Sequence, residues 1–371
     1  MNFDFSDDLK QLRDQARRFL TERCGPAVPR RVLDGEATWD EGLWRAIVEM
    51  GWTGTAIPET YGGVGLGHEG LCVLAEEMGR AVAPVPFASS VYMATEAILV
   101  GGSESQKSAW LPKLAAGEAI GCFALAEGPG NPSPKRIKAS VARGKLTGVK
   151  APVADGSVAT FAIVAANDES GRPGLYIVGL TGAGVTRTAV TTVDPTRDHA
   201  TLTFDGAAAE KLAGSADGWA VVERVLNRAA VLFAFEQVGG AQACLDMAKN
   251  YAMERYAFGR PIASFQAIKH KLADVYVATE LARSNAFYGA WALATDAADL
   301  PLAAATARVS ATDAFHLASK ENIQTHGGMG FTWQFDCHLY YRRARTLASV
   351  LGSQPFWRDR LVEGLEARNA A

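Results

Sequence analysis

Two short stretches hold the side chains best suited to an anionic ligand. In ERYAFGRPIASFQ, residues 254–266, Arg255 and Phe258 are expected in the last turn of one helix and Gln266 at the start of the next. An arginine beside a glycine-relieved turn can grip a phosphate, because its planar donors pair two oxygens at once. The same residues also suit a surface cluster of Arg255 with Glu254, since a cation is favoured at a helix C-terminus. In QTHGGMGF, residues 324–331, Gly327, Gly328 and Gly330 follow a helix end. Paired glycines let main chain approach a ligand with no side chain between them, although an ordinary glycine C-cap has the same composition. A third candidate is Glu236 in the apolar run AVLFAFEQVGG. A desolvated carboxylate there suits a general base, and a buried helix-to-helix hydrogen bond is the alternative. In contrast, RTLASVLGSQPF, residues 345–356, contains nothing that could accept a proton, and no Asp or Glu occurs from Cys337 to Trp357.

The elements that must position these residues follow from periodicity. Ser6 can cap a helix with Asp7 and Asp8 in its first turn and Leu9, Leu12, Ala16 and Phe19 on one face. Ser103, with Gln106 three residues on, matches a capping box and opens a helix through Trp110 and Leu111. IPETYGGVGLG is a glycine-rich connection. From about Gly121 the period changes, and TFAIVAA, GLYIVGL, VTRTAVTTV and ATLTF read as strands separated by turns such as NDESGRPG. From Trp219 the helical period returns through Val231, Phe235, Val238, Ala241, Leu245, Ala248 and Ala252, with Gly259 and Pro261 as the stop. Ser264 can cap the next helix, striped by Phe265, Ile268, Leu272 and Val275. An alanine-rich helix is expected over roughly 301–322, and another from about Gln354. The order is helices, strands, long helices.

Bulk properties exclude several classes. A chain of 371 residues, 48% hydrophobic, has ample core for two or three packed units. The net charge of −3, with no basic run interleaved with aromatics, argues against nucleic acid. The acidic opening and short apolar runs argue against a signal peptide or a membrane span, and predict a cytoplasmic location. Five scattered cysteines (Cys24, Cys72, Cys122, Cys244, Cys337) form no CxxC pair and have no metal-ligand spacing; reduced, partly buried thiols are expected, with no metal.

Taken in order, GWTGTAIPETYGGVGLG, EEMGRAVAPVPF, GSESQKSAWLPKLAAGEAIG, ERYAFGRPIASFQAIKHKLADV and QTHGGMGFTW resemble the acyl-CoA dehydrogenase family of flavoproteins over nearly the whole chain. The resemblance implies an α+β multidomain fold: an N-terminal helical domain (1–118), a middle β domain (119–217) and a C-terminal four-helix bundle (218–371). It implies FAD as cofactor, an acyl-CoA thioester as substrate and electron-transfer flavoprotein or a similar acceptor as partner. In such enzymes a carboxylate removes the α proton while the β hydride goes to the flavin, and a main-chain N–H helps hold the thioester oxygen. FAD lies across a subunit boundary. Carried over by motif, Arg255, Phe258, Gln266, Gln324, Gly327 and Gly328 are the bundle's share of it.

The flavin-facing half departs from the pattern. In CFALAEGPGNPS, Phe123, Leu125 and Glu127 fit, but Ala126 replaces a hydroxyl residue. The next motif, usually Trp, an aliphatic and Ser/Thr, reads Pro152, Val153, Ala154. Counting from the matching Arg342, the family's glutamate base falls on Leu351, and Gly352 and Ser353 continue its pattern. The alternative base position of some relatives falls on Ala229, with Glu236 seven residues further on. The resemblance is therefore to the bacterial branch that forms α2β2 assemblies, with a paralogous chain supplying the base. A self-sufficient dehydrogenase using Glu236, a flavin monooxygenase on the same fold, and an acyl-CoA-binding protein without FAD are the alternatives.

Overall fold

Ser6 accepts a hydrogen bond from the Leu9 main chain at 3.3 Å and starts the first helix, with Asp7 and Asp8 in its opening turn. Its buried face is Leu9, Ala16 and Leu20, while Leu12 and Phe19 are half-buried. The structure is a computed structural model that describes residues 5–214 and 217–370; residues 1–4, 215–216 and 371 of the expected segments lie outside it. The helices are α1 (Asp7–Arg23), α2 (Ala27–Leu33), α3 (Glu41–Glu49), α4 (Gly67–Ala81), α5 (Glu96–Gly101), α6 (Glu104–Ala115), α7 (Gly218–Glu254), α8 (Gln266–Ala294), α9 (Leu300–His326), α10 (Cys337–Leu347) and α11 (Gln354–Ala370). A π-helical stretch, Ala88–Thr95, precedes α5. None of the described helices is long and apolar enough to cross a membrane.

The chain forms two compact units that cut across the three segments expected from sequence. Among the described residues, one contains 5–34, 72–83 and 230–370, the other 35–71, 84–214 and 217–229.

In the first unit, α7 is the central helix. The expected stripe from Val231 to Ala252 is buried, but so are Ala230, Leu232, Phe233 and Ala234 between its members, as befits a helix surrounded on all sides. Phe5 packs its ring 4.6 Å from Phe287 and 5.9 Å from Phe235. Helix α10 was not legible in the sequence: its buried face is Cys337, Leu339, Arg343, Ala344 and Leu347, and an arginine stands where an apolar residue would signal the period.

In the second unit, the capping box of Ser103 and Gln106 is present and starts α6. The connection Ile57–Gly67 needs its glycine: a Cβ on Gly63 would stand 1.9 Å from the Ile57 carbonyl oxygen. The strands are β1 (Gly121–Ala124), β2 (Ser140–Ala142), β3 (Lys145–Ala154), β4 (Phe161–Asn167), β5 (Pro173–Gly179), β6 (Val185–Ala189), β7 (His199–Ala208) and β8 (Glu210–Lys211). They form one sheet in the order β6-β7-β3-β2-β4-β5-β8, with β1 parallel to β4. The four runs read as strands match β4 to β7, although β6 ends at Ala189, before the second half of its run. Strand β3 escaped notice because it carries Gly148 and Pro152, residues that weaken a strand signal. All five cysteines are buried.

Candidate functional site

The site residues expected in the bundle all lie in the first unit. Helix α7 ends at Glu254, earlier than Gly259 and Pro261 would require, so Phe258 is not in a helical turn. Residues 256–261 instead form a two-residue hairpin, β9 (Tyr256–Ala257) with β10 (Arg260–Pro261). Phe258 and Gly259 occupy its tip with φ of +54° and +77°, the paired positive values of a type I′ turn. That turn holds Phe258 95% exposed. Ser264 does not cap α8: its hydroxyl donates to the Pro261 carbonyl at 2.7 Å, and Phe265 is the N-cap without a side-chain bond. Phe265 supports the hairpin instead, with Phe258 edge-on at 6.2 Å and Arg260 over its ring at 4.2 Å.

The two motifs meet through residues that were not singled out. Tyr251, whose carbonyl accepts from the Arg255 N–H at 2.8 Å, stacks on His326 at 4.1 Å. Phe335 lies against both rings. His326 immediately precedes Gly327, so the stack ties the end of α7 to the end of α9. Its Nδ1 is 2.8 Å from the Asn322 carbonyl, and burial pushes its pKa down, favouring the neutral ring. Gln266, Gln324, Gly327 and Gly328 are exposed, and a Cβ at either glycine would meet nothing within 4 Å. Gly327 and Gly328 therefore present bare main chain at the surface.

The residue counted in the sequence as the base position, Leu351, lies in the segment after α10. Leu351 is 2% exposed, and its carbonyl accepts from the Trp357 indole at 3.1 Å. Gly352 takes φ +106°, a value that favours glycine. Ala229 is a buried methyl. Glu236 is also buried, with Arg343 Nη1 at 3.3 Å from Oε1, so this carboxylate faces a guanidinium inside the bundle. Burial pushes Arg308 down to about 10, against the pull of the same Glu236.

The remaining expected residues lie in the second unit. Phe123 sits on β1, paired with Ile163 of β4. Leu125, Ala126 and Glu127 follow in a loop held by main chain: the Ala151 N–H donates to the Ala126 carbonyl at 2.9 Å, and the Gly128 N–H to the Ala151 carbonyl at 2.8 Å. Lys150, fully buried, donates to the Leu125 carbonyl at 3.2 Å and to Glu127 Oε1 at 2.6 Å. Burial pushes the lysine down despite Glu127. Glu127 also accepts from the Lys138 and Ala139 main chains. The loop is thus anchored without a side chain from Ala126. Pro152 sits at the register shift between Lys150 and Val153, where a residue without an N–H is tolerated in β3, while Val153 is buried in the core.

Comparison with known proteins gives this geometry its context. Residues 6–118 match the acyl-CoA dehydrogenase N-terminal domain, and residues 216–365 the acyl-CoA dehydrogenase C-terminal domain. The chain is 32% identical over 350 residues to acyl-CoA dehydrogenase IpdE2 of Mycobacterium tuberculosis, covering 94% of each. Among solved structures, it is similar to a single-residue variant of the Tcur3481–Tcur3483 steroid ACAD (31% identity, TM-score 0.88, 98% of this chain and 99% of that one). It is also similar to a chain of the ChsE4–ChsE5 complex of Mycobacterium tuberculosis (27% identity, TM-score 0.89, 99% of each). On both halves of its length, this chain belongs to the acyl-CoA dehydrogenase family.

Proposed function

We propose that this chain is the base-lacking subunit of a heteromeric, FAD-dependent acyl-CoA dehydrogenase. It cradles the diphosphate and adenosine side of FAD, and a paralogous partner supplies the carboxylate that removes the α proton. The observation that carries this reading is Leu351, a buried aliphatic side chain in a segment with no carboxylate from residue 337 to 357. The candidate replacement, Glu236, is engaged with Arg343. A carboxylate facing a guanidinium is poorly placed to collect a proton from carbon, which weighs against the self-sufficient alternative. The two-protein composition of the ChsE4–ChsE5 complex and the steroid ACAD supports a heteromeric assembly and a bulky acyl group.

The chain's residues suit the cofactor unevenly. Arg255, Gln266 and Gln324 can donate to phosphate oxygens, and bare Gly327 and Gly328 let main chain reach them. When bound, FAD accepts the β hydride and passes its electrons to an electron-transfer flavoprotein or a similar acceptor. On the flavin side, Phe123, Leu125 and Ala126 offer an anchored backbone but no hydroxyl, and each lost neutral hydrogen bond weakens binding by about 1 kcal/mol. The Leu351 N–H can polarise a thioester oxygen, since that donor is main chain.

Purified alone, the chain should turn over acyl-CoA roughly 10²- to 10⁴-fold more slowly than when co-purified with its partner, the range a positioned base supplies. An electron-acceptor assay on both preparations measures this; fast turnover by the lone chain refutes the assignment.

A further inference from the structure

We infer that Glu236 is a positioning residue: with Arg343, Arg308 and Gln237 it forms a buried lock that fixes residues 347–353, the segment carrying Leu351. All four side chains are at most 1% exposed. Glu236 of α7 holds Arg343 of α10 at 3.3 Å. The next residue on α7, Gln237, accepts from Arg308 of α9 at 2.7 Å and is 3.1 Å from the Thr312 hydroxyl, to which its amide nitrogen donates. Arg308 in turn donates to the carbonyl of Leu347, the last residue of α10. A cation is favoured there because the final carbonyls of a helix lack partners within it.

The other end of the segment is tied to the same helix. Gln354 donates to the Val309 carbonyl at 3.1 Å, and Trp357 to the Leu351 carbonyl at 3.1 Å. Residues 347–353 are therefore clamped between neighbours Arg308 and Val309 of α9, and the orientation of Arg308 depends on α7. The lock is electrostatically lopsided. Glu236 acts on both buried guanidinium groups, so its loss takes a counter-charge from each, whereas removal of Glu236 and Arg343 together leaves the charge balance nearer to its starting point. Breaking one side of a buried pair is far more disruptive than replacing both sides with apolar groups.

The lock stands on contacts inside the bundle; only its consequence for the thioester oxygen rests on the function proposed above. The test uses the full chain, alone and with its partner. Glu236→Gln and Arg343→Met should each lower the melting temperature and speed amide hydrogen exchange across residues 348–353 by about tenfold or more. The double variant Glu236→Met with Arg343→Met should be damaged clearly less than the sum of the two, with a residual loss because Arg308 still lacks its counter-charge. The inference is overturned if the single variants leave exchange of that segment unchanged, or if the double variant is as damaged as the sum of the two. It is equally overturned if Glu236→Gln melts like wild type yet abolishes α-proton exchange, because Glu236 is then the base. Rapid turnover by the lone wild-type chain, with the exchange results as expected, would sink the heteromeric reading and leave the lock standing.

Discussion

Glu96 shows how single residues hold this fold together. It has no exposed surface, and burial works to raise its pKa. His68 Nε2 and Arg228 Nε, each at 2.6 Å, outweigh burial and hold the carboxyl at about 2, against an ordinary value of 4.5. Because the folded value lies below the unfolded one, this group's contribution to stability is complete above about pH 4.5 and is lost as the pH falls toward 2. Glu96→Gln should therefore destabilise the protein by about 3 kcal/mol at pH 7, the order expected when one side of a buried pair is removed, and by much less near pH 2. Denaturant melts across that range measure it, and a constant gap between variant and wild type would rule the account out. At this scale the sequence was informative about chemistry and silent about partners. Glu236 was visible as an acid in an apolar run, but its partner Arg343 lies 107 residues away.

Elements depend on how closely their backbones can approach. Within the first unit, α4 crosses α7 with glycine on both sides: a Cβ on Gly79 would stand 1.8 Å from the Glu236 carbonyl oxygen, and one on Gly239 would stand 1.8 Å from that of Glu76. Backbone atoms cannot swing aside as a side chain can, so the helices must part. Gly79→Ala gains about 1 kcal/mol of helix propensity, and overpacking of about 1–3 kcal/mol or more should exceed it. A lowered denaturation midpoint is the expected reading; a midpoint at or above wild type would show that the crossing relaxes freely. The crossing also brings Arg283 of α8 onto Glu76, an ion pair that periodicity gives no hint of.

For the whole molecule, the distribution of donors is the central asymmetry. One unit carries the exposed Gly327 and Gly328 and the exposed Arg255, while the other holds the loop after β1 with Glu127 and Lys150 paired at 2.6 Å and no hydroxyl at residue 126. The heteromeric reading then predicts a low flavin content. The lone chain should retain well under one FAD per polypeptide after gel filtration, and co-expression with a paralogue should raise the yield to a fixed ratio per assembly, read from flavin absorbance against protein. Full, tightly held flavin on the isolated chain would contradict it. Phe258 and Phe331 of the same unit as Arg255 are 95% and 86% exposed, large aromatics that a partner surface would cover.

Local physics wrote much of this into the sequence. Capping by Ser6 and Ser103, the period of α7, the continuous apolar runs of β4 and β5 and the alternation in β7 act between residues a few positions apart, so they survive reading in one dimension. The absence of a carboxylate between residues 337 and 357 is likewise a property of the sequence alone. Tertiary structure decided the rest. It ended α7 at Glu254 and put Phe258 at a hairpin tip instead of in the last helical turn, folded Tyr251 onto His326, and committed Glu236 to Arg343. The energy of a buried ion pair or a ring stack depends on what packing brings within a few ångströms and shields from water, and sequence spacing does not record that distance.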